Sequence, residues 1–156
     1  MNKLLINTKS EEETMKFAEK FASFLDKGTV LLLHGDLGAG KTHFVKGLVK
    51  GFGSNAVVTS PTFTLLNIYE EGKFPIYHFD MYRLTSVEEA EEMGFAEYFD
   101  PSSQSGIVLV EWPENVKGLI KCPHINVEIK KTGENERQII IGGGEWLPFA
   151  LLSKKA

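Results

Sequence analysis

The stretch TVLLLHGDLGAGKT, Thr29 to Thr42, decides how the rest of this chain is read. Its first half is apolar at consecutive positions, the pattern of a strand covered on both faces at the centre of a parallel sheet. Its second half, Gly35 to Thr42, satisfies G-x-x-x-x-G-K-[ST], and the residues that follow, Phe44, Val45, Leu48 and Val49, recur at helical spacing up to Gly51. Strand, glycine turn and helix in that order form a phosphate cradle. Glycines let successive backbone N–H groups face an anion without side-chain obstruction, and the amino end of the helix adds a favourable dipole. The candidate nucleotide-binding residues are therefore Asp36, Leu37, Gly38, Ala39, Gly40, Lys41, Thr42 and His43. Lys41 supplies a positive charge near the β and γ phosphates, and the Thr42 hydroxyl is the expected magnesium ligand. A second glycine pattern, Gly51 to Ala56, formally matches G-x-G-x-x-A, but it follows a helix and approaches a strand, so it reads as a helix-terminating loop.

Working outward, Lys3 to Asn7 has the length of a short strand, and Ser10 followed by Glu11, Glu12 and Glu13 opens a helix to about Leu25. Val57 to Thr59 reads as a short strand interrupted at Ser60 and Pro61. Thr64 to Glu70 and Phe74 to Asp80 flank Glu71, Gly72 and Lys73 as an antiparallel hairpin. A short acidic helix spans about Val87 to Met93, and Ile107 to Val110 is a buried strand that delivers Glu111. Ile125 to Lys130 and Arg137 to Ile141 are two further strands, and Trp146 to Leu152 is a possible C-terminal helix. The expected fold is α/β, a P-loop nucleoside triphosphatase with a central mixed sheet flanked by helices, as a single domain over residues 1–156.

Hydrolysis of a magnesium nucleotide needs an acid to complete the metal shell and a group to orient water. Asp80 ends FPIYHFD and Glu111 ends GIVLVE, and each follows an apolar run that carries its carboxylate to the sheet edge. Spacing leaves open which acid supports the metal and which orients water, so Asp80 and Glu111 stand with Lys41 as catalytic candidates and with Thr42 as metal candidates. The polar break Thr59, Ser60, Pro61, Thr62 and Phe63 is a hairpin connection or a segment that senses the γ phosphate. Arg83 either anchors a salt bridge to local acids or contacts phosphate or a partner, and Trp112 either stacks on a ligand or protein partner or packs at the strand end. Neither His78 with Asp80 nor Cys122 with His124 supplies enough ligands for structural zinc.

With 21 acidic and 17 basic residues, the chain carries a formal net charge of −4 and no broad positive footprint for nucleic acid. A single cysteine and the lack of an export pattern in the first twenty residues predict a cytoplasmic protein, and no apolar run is long enough for a membrane span. Only Arg83 and Arg137 are arginines, too few for the lid and acceptor contacts of a small metabolite or nucleotide kinase. No N-K-x-D segment reads guanine. A non-catalytic nucleotide-dependent binding module remains the rival to an ATPase.

In order along the chain, GDLGAGKT, TSPTF, HFDMYRL and VEWPE together resemble the bacterial tRNA threonylcarbamoyladenosine biosynthesis ATPase family, TsaE. The resemblance implies a cytoplasmic ATPase using ATP and Mg2+. It acts with TsaB and TsaD in threonylcarbamoyl modification of adenosine 37 of tRNA, and tRNA is contacted mainly through those partners. It also implies that Lys41 and Thr42 serve phosphate and magnesium, that Thr59 to Phe63 form a nucleotide-responsive loop, and that Asp80 and Glu111 are the family's essential acids. Trp112 resembles the tryptophan beside the catalytic acid, and Tyr82 and Arg83 resemble the segment after Asp80. Turnover is expected to be slow alone and stimulated by partners.

Overall fold

The computed structural model describes residues 3–36, 38–100, 102–103 and 105–143. Two sequence expectations, the placement of Leu37 and the helix over Trp146 to Leu152, lie outside the described residues. The strands are β1 (Leu4–Thr8), β2 (Val30–His34), β3 (Leu66–Tyr69), β4 (Ile76–Asp80), β5 (Ile107–Glu111), β6 (Ile125–Lys131) and β7 (Arg137–Gly142). The α-helices are α1 (Glu11–Ala22), α2 (Lys41–Gly51) and α3 (Val87–Glu92), with 3-10 turns at Phe95–Phe99 and Pro113–Val116.

The strands form one seven-stranded sheet in the order β1-β7-β6-β2-β5-β4-β3. β2 lies between β6 and β5 and runs parallel to both, β4 is parallel to β5, and the remaining pairings are antiparallel. The sheet is thus mixed, with β2 at its centre as its unbroken apolar run requires. Alternate side chains of the central strands serve two different cores. Leu31, Leu33, Ile107, Leu109, Ile125 and Val127 pack under α1 and α2. Val30, Leu32, Val108, Val110 and Phe79 pack under α3 and the two 3-10 turns, with Met81, Leu84, Phe95, Phe99 and Leu119.

Local signals explain most boundaries. Ser10 caps α1 by accepting from the Glu13 N–H at 3.1 Å, and Ser86 does the same for α3 through Glu89. Helix α1 ends at Ala22, three residues short of the expected Leu25, because Ser23, Phe24 and Leu25 tighten into i−3 hydrogen bonds. The loop after α2 is the helix terminator expected there: Gly53 has φ 86° and its N–H returns to the Lys50 carbonyl.

The strand expected at Val57 to Thr59 does not form. Val57 is exposed, and the Thr59 carbonyl accepts from the Asn67 side chain at 3.2 Å, with the Tyr69 hydroxyl 3.4 Å away. A side chain of β3 therefore occupies the acceptor a ladder would need, and Pro61 supplies no donor. The 3-10 turns are additions to the sequence reading.

Candidate functional site

Three strands deliver their C-terminal ends to one edge of the sheet. β2 leads into Gly35, where an added Cβ would lie 2.8 Å from the Ile129 carbonyl oxygen and 3.2 Å from the Ala39 Cβ, so the loop turns against β6 only with glycine there. Gly38 and Gly40 hold φ of 81° and 103°, conformations that L side chains rarely adopt. Gly40 opens α2 with no side-chain cap, which leaves the amide hydrogens of its first turn available to a ligand. The loop and helix start from Gly38 to His43 line a cavity of about 500 Å³ whose other walls include Ser60, Thr62, Asp80, Glu111 and Trp112. A second cavity of about 580 Å³ opens on the β6 side of the loop, where Gly35, Asp36, Ala39, Lys41 and Trp112 meet Glu128 and Lys130.

Asp80 and Glu111 are register partners on the parallel pair β4 and β5, so the two carboxylates project from the same face. Both are buried, at 3% and 5% exposure, as is Lys41 at 8%. The Lys41 ammonium stands 3.9 Å from Glu111 Oε1 and 4.8 Å from the centre of the Trp112 ring. Desolvation of this kind is tolerated when charges of opposite sign meet and the cation rests on an aromatic face. Asp80 accepts the Tyr82 N–H at 2.9 Å on one oxygen and the Thr62 hydroxyl at 3.0 Å on the other, with the Ser60 hydroxyl 3.4 Å from that second oxygen. With the Thr62 hydrogen given to Asp80, Ser60 donates its own to Thr62 at 2.8 Å, and this relay fastens the segment from Thr59 to Phe63 to Asp80.

The other candidates fall around this centre. Thr42 and His43 line the same cavity, and His43 Nε2 lies 3.2 Å from Glu11 Oε2. Asp36 is exposed at the second cavity. Pro61 is buried, whereas Phe63 is exposed beneath the Arg83 guanidinium, 5.4 Å from its ring centre. Tyr82 and Trp112 have ring centres 5.0 Å apart at the cavity wall. Trp112 itself has φ 59°, which swings the chain out of β5 into the following 3-10 turn. His124 turns to the Cys122 carbonyl at 3.0 Å, and burial pushes the Cys122 thiol above its ordinary pKa.

Sequence reasoning missed three residues here. Arg137, noted only as one of two arginines, places its Nε 2.8 Å from the Ala39 carbonyl and a terminal nitrogen 3.4 Å from that of Gly38. The remaining terminal nitrogen donates to carbonyls of the β6–β7 turn, including Glu136 at 2.9 Å. Arginine is scarce in the chain but not absent from the loop. His78 bonds Glu111 Oε2 at 2.6 Å, and Tyr69 reaches His78 Nδ1 at 3.2 Å. The readable signal for His78 was its place two residues before Asp80 in a strand, which puts both on one face.

A mixed sheet flanked by helices, a glycine loop between its central strand and a helix, and two paired carboxylates at the same edge define an α/β protein whose architecture is consistent with the P-loop nucleoside triphosphatase fold. The chain belongs to the TsaE family: the family described as threonylcarbamoyl adenosine biosynthesis protein TsaE matches residues 8–139. It is 46% identical over 129 residues to the tRNA threonylcarbamoyladenosine biosynthesis protein TsaE of Rickettsia prowazekii, covering 82% of this chain and 87% of that one. Against the protein of the same description from Bacillus subtilis it is 41% identical over 139 residues, covering 89% and 85%. The crystal structure of Bacillus subtilis YdiB superposes with a TM-score of 0.77 at 34% identity, covering 96% of this chain and 94% of that one.

Proposed function

We propose that this chain is a magnesium-dependent ATPase that supports a TsaB–TsaD complex in threonylcarbamoyl modification of tRNA adenosine 37. The observation that carries the reading is the approach of Lys41 to Glu111, 3.9 Å, at a cavity walled by the backbone from Gly38 to Thr42. Free N–H groups at the start of α2 and the Lys41 charge suit the β and γ phosphates of a nucleotide. Thr42, Asp80 and Glu111 offer only oxygen donors, the set suited to Mg2+, which takes one or two carboxylates together with substrate phosphates. Bound there, Mg2+ would neutralise charge developing on the phosphates.

The chain's own residues divide the remaining work. In hydrolysis the oxygen of a water bonds to the γ phosphorus as the bond to the ADP oxygen breaks, and a carboxylate orients that water and takes its proton. Asp80→Asn and Glu111→Gln separate the two acids: loss of the metal ligand raises the Mg2+ requirement, and loss of the water-orienting group lowers kcat at an unchanged requirement. The exposed rings of Phe63 and Tyr82 beside the cavity suit a partner surface rather than tRNA, in keeping with a net charge of −4. No helix among the described residues is long and apolar enough to cross a membrane.

The test is phosphate release from ATP or GTP by wild type, Lys41→Ala and Glu111→Ala, without and with TsaB–TsaD. Wild type should release phosphate slowly from ATP and faster with the partners, and each variant should lose on the order of a hundredfold or more. No release by wild type under any condition, or variants equal to it, overturns the assignment.

A further inference from the structure

His78 is the most buried ionisable side chain among the described residues, 1% exposed, and the hydrolysis scheme above leaves it without a task. Its strand neighbour on the same face, Ile76, and its register partner, Leu109, are both fully buried and apolar. Packing alone would be served by a third aliphatic residue. An imidazole in that position is tolerated because both ring nitrogens are bonded, one to Glu111 and one to Tyr69. Glu111 Oε2 can only accept as a carboxylate, so the 2.6 Å contact places the ring hydrogen on Nε2, and Nδ1 then accepts the Tyr69 hydroxyl at 3.2 Å.

The consequence lies at Glu111. A free carboxylate at the end of a strand samples several rotamers, and fixing a reactive group in its working geometry contributes to rate through orientation. His78 occupies Oε2 at 2.6 Å, and the remaining oxygen, Oε1, is the one nearest Lys41. Tyr69 also stands 3.4 Å from the Thr59 carbonyl, at the head of the segment whose hydroxyls hold Asp80. One run of contacts therefore joins that segment to Glu111 through the core.

We propose that His78 is a positioning residue for Glu111, steadied by Tyr69, and that the pair ties the geometry of the reactive carboxylate to the Thr59–Phe63 segment. The proposal rests on Glu111 acting in ATP hydrolysis. It concerns hydrogen-bonded geometry: His78 lines neither cavity and acts through the carboxylate it orients.

The experiment uses the full chain with TsaB–TsaD present and compares phosphate release, nucleotide affinity and thermal unfolding for wild type, His78→Leu, His78→Gln, Tyr69→Phe and Glu111→Gln. His78→Leu should lower kcat roughly 10- to 100-fold, the range found when a group supporting a reactive ligand is removed, with nucleotide affinity within about threefold of wild type. His78→Gln, whose side-chain amide can donate in place of Nε2, should recover part of that loss, and Tyr69→Phe should show a smaller fall in kcat. Should His78→Leu fail to fold, His78→Gln and Tyr69→Phe carry the comparison by the same split of kcat from affinity. Folded His78 and Tyr69 variants that turn over like wild type while Glu111→Gln is inactive overturn the positioning role, as does a glutamine variant no better than the leucine one. A wild type that releases no phosphate overturns the ATPase reading itself and takes the positioning role with it.

Discussion

Arg137 shows how much of the loop's shape rests on a single distant side chain. Its guanidinium holds the carbonyls of Gly38 and Ala39 on one side and the β6–β7 turn on the other, a span that a planar fork of donors can bridge and a single ammonium cannot. Arg137→Ala should lower stability by about 1–2 kcal/mol, because hydrogen bonds from a charged donor are stronger than neutral ones while this donor is only half-buried. Arg137→Lys should restore less than half of that loss. Urea unfolding measures both, and an alanine variant as stable as wild type contradicts this role. The residue could not be read from the sequence, since 98 positions separate it from Ala39 and nothing in its neighbourhood marks a loop contact. Asp80 and Glu111 were legible as a pair for the opposite reason: each closes an apolar run, and a run that must be buried fixes where its last residue emerges. What the runs could not show was the occupant between them. His78 looked like half of an inadequate metal site, and only the register of β4 against β5 brings it to Glu111.

At the scale of elements, the helix that follows the glycine loop, α2, is held by a close approach to its neighbour α1. A Cβ at Gly47 would stand 2.3 Å from the Met15 carbonyl oxygen, and one at Gly51 2.5 Å from that of Glu19, so α2 presses a glycine face against the backbone of α1. Intrinsic propensity favours alanine over glycine in a helix by about 1 kcal/mol. The clash reverses that preference, and Gly47→Ala should destabilise by about 1–3 kcal/mol through overpacking, read by urea unfolding. A stabilised variant would mean that the helices are farther apart than described. Both helices were legible from their apolar spacing, but their distance was not, because the glycines carry no periodic signal. Val57 to Thr59 failed in the other direction. Its composition favours a strand, yet a strand is defined by a partner, and Asn67 takes the carbonyl through which Thr59 would have paired.

Across the whole molecule, the order of strands explains why chemistry gathers at one edge. The chain leaves β2 through the glycine loop, builds β3, β4 and β5 on one side and returns to β6 and β7 on the other, so the loop opens at the point where the sheet changes direction of growth. Crevices at such points receive ligands in open α/β sheets. The carboxylates arrive from β4 and β5 on one side of the loop, and Arg137 arrives from β7 beyond β6 on the other. The exposed rings of Phe63 and Tyr82 stand beside that edge, on a chain of net charge −4.

Equilibrium titration of wild type and Lys41→Ala with a non-hydrolysable ATP analogue and Mg2+ tests the nucleotide site most directly. One site per chain is predicted for wild type, with affinity reduced tenfold or more, about 1.4 kcal/mol, in the variant. No binding to wild type at millimolar nucleotide, or equal affinity in Lys41→Ala, would contradict a nucleotide seated on this loop.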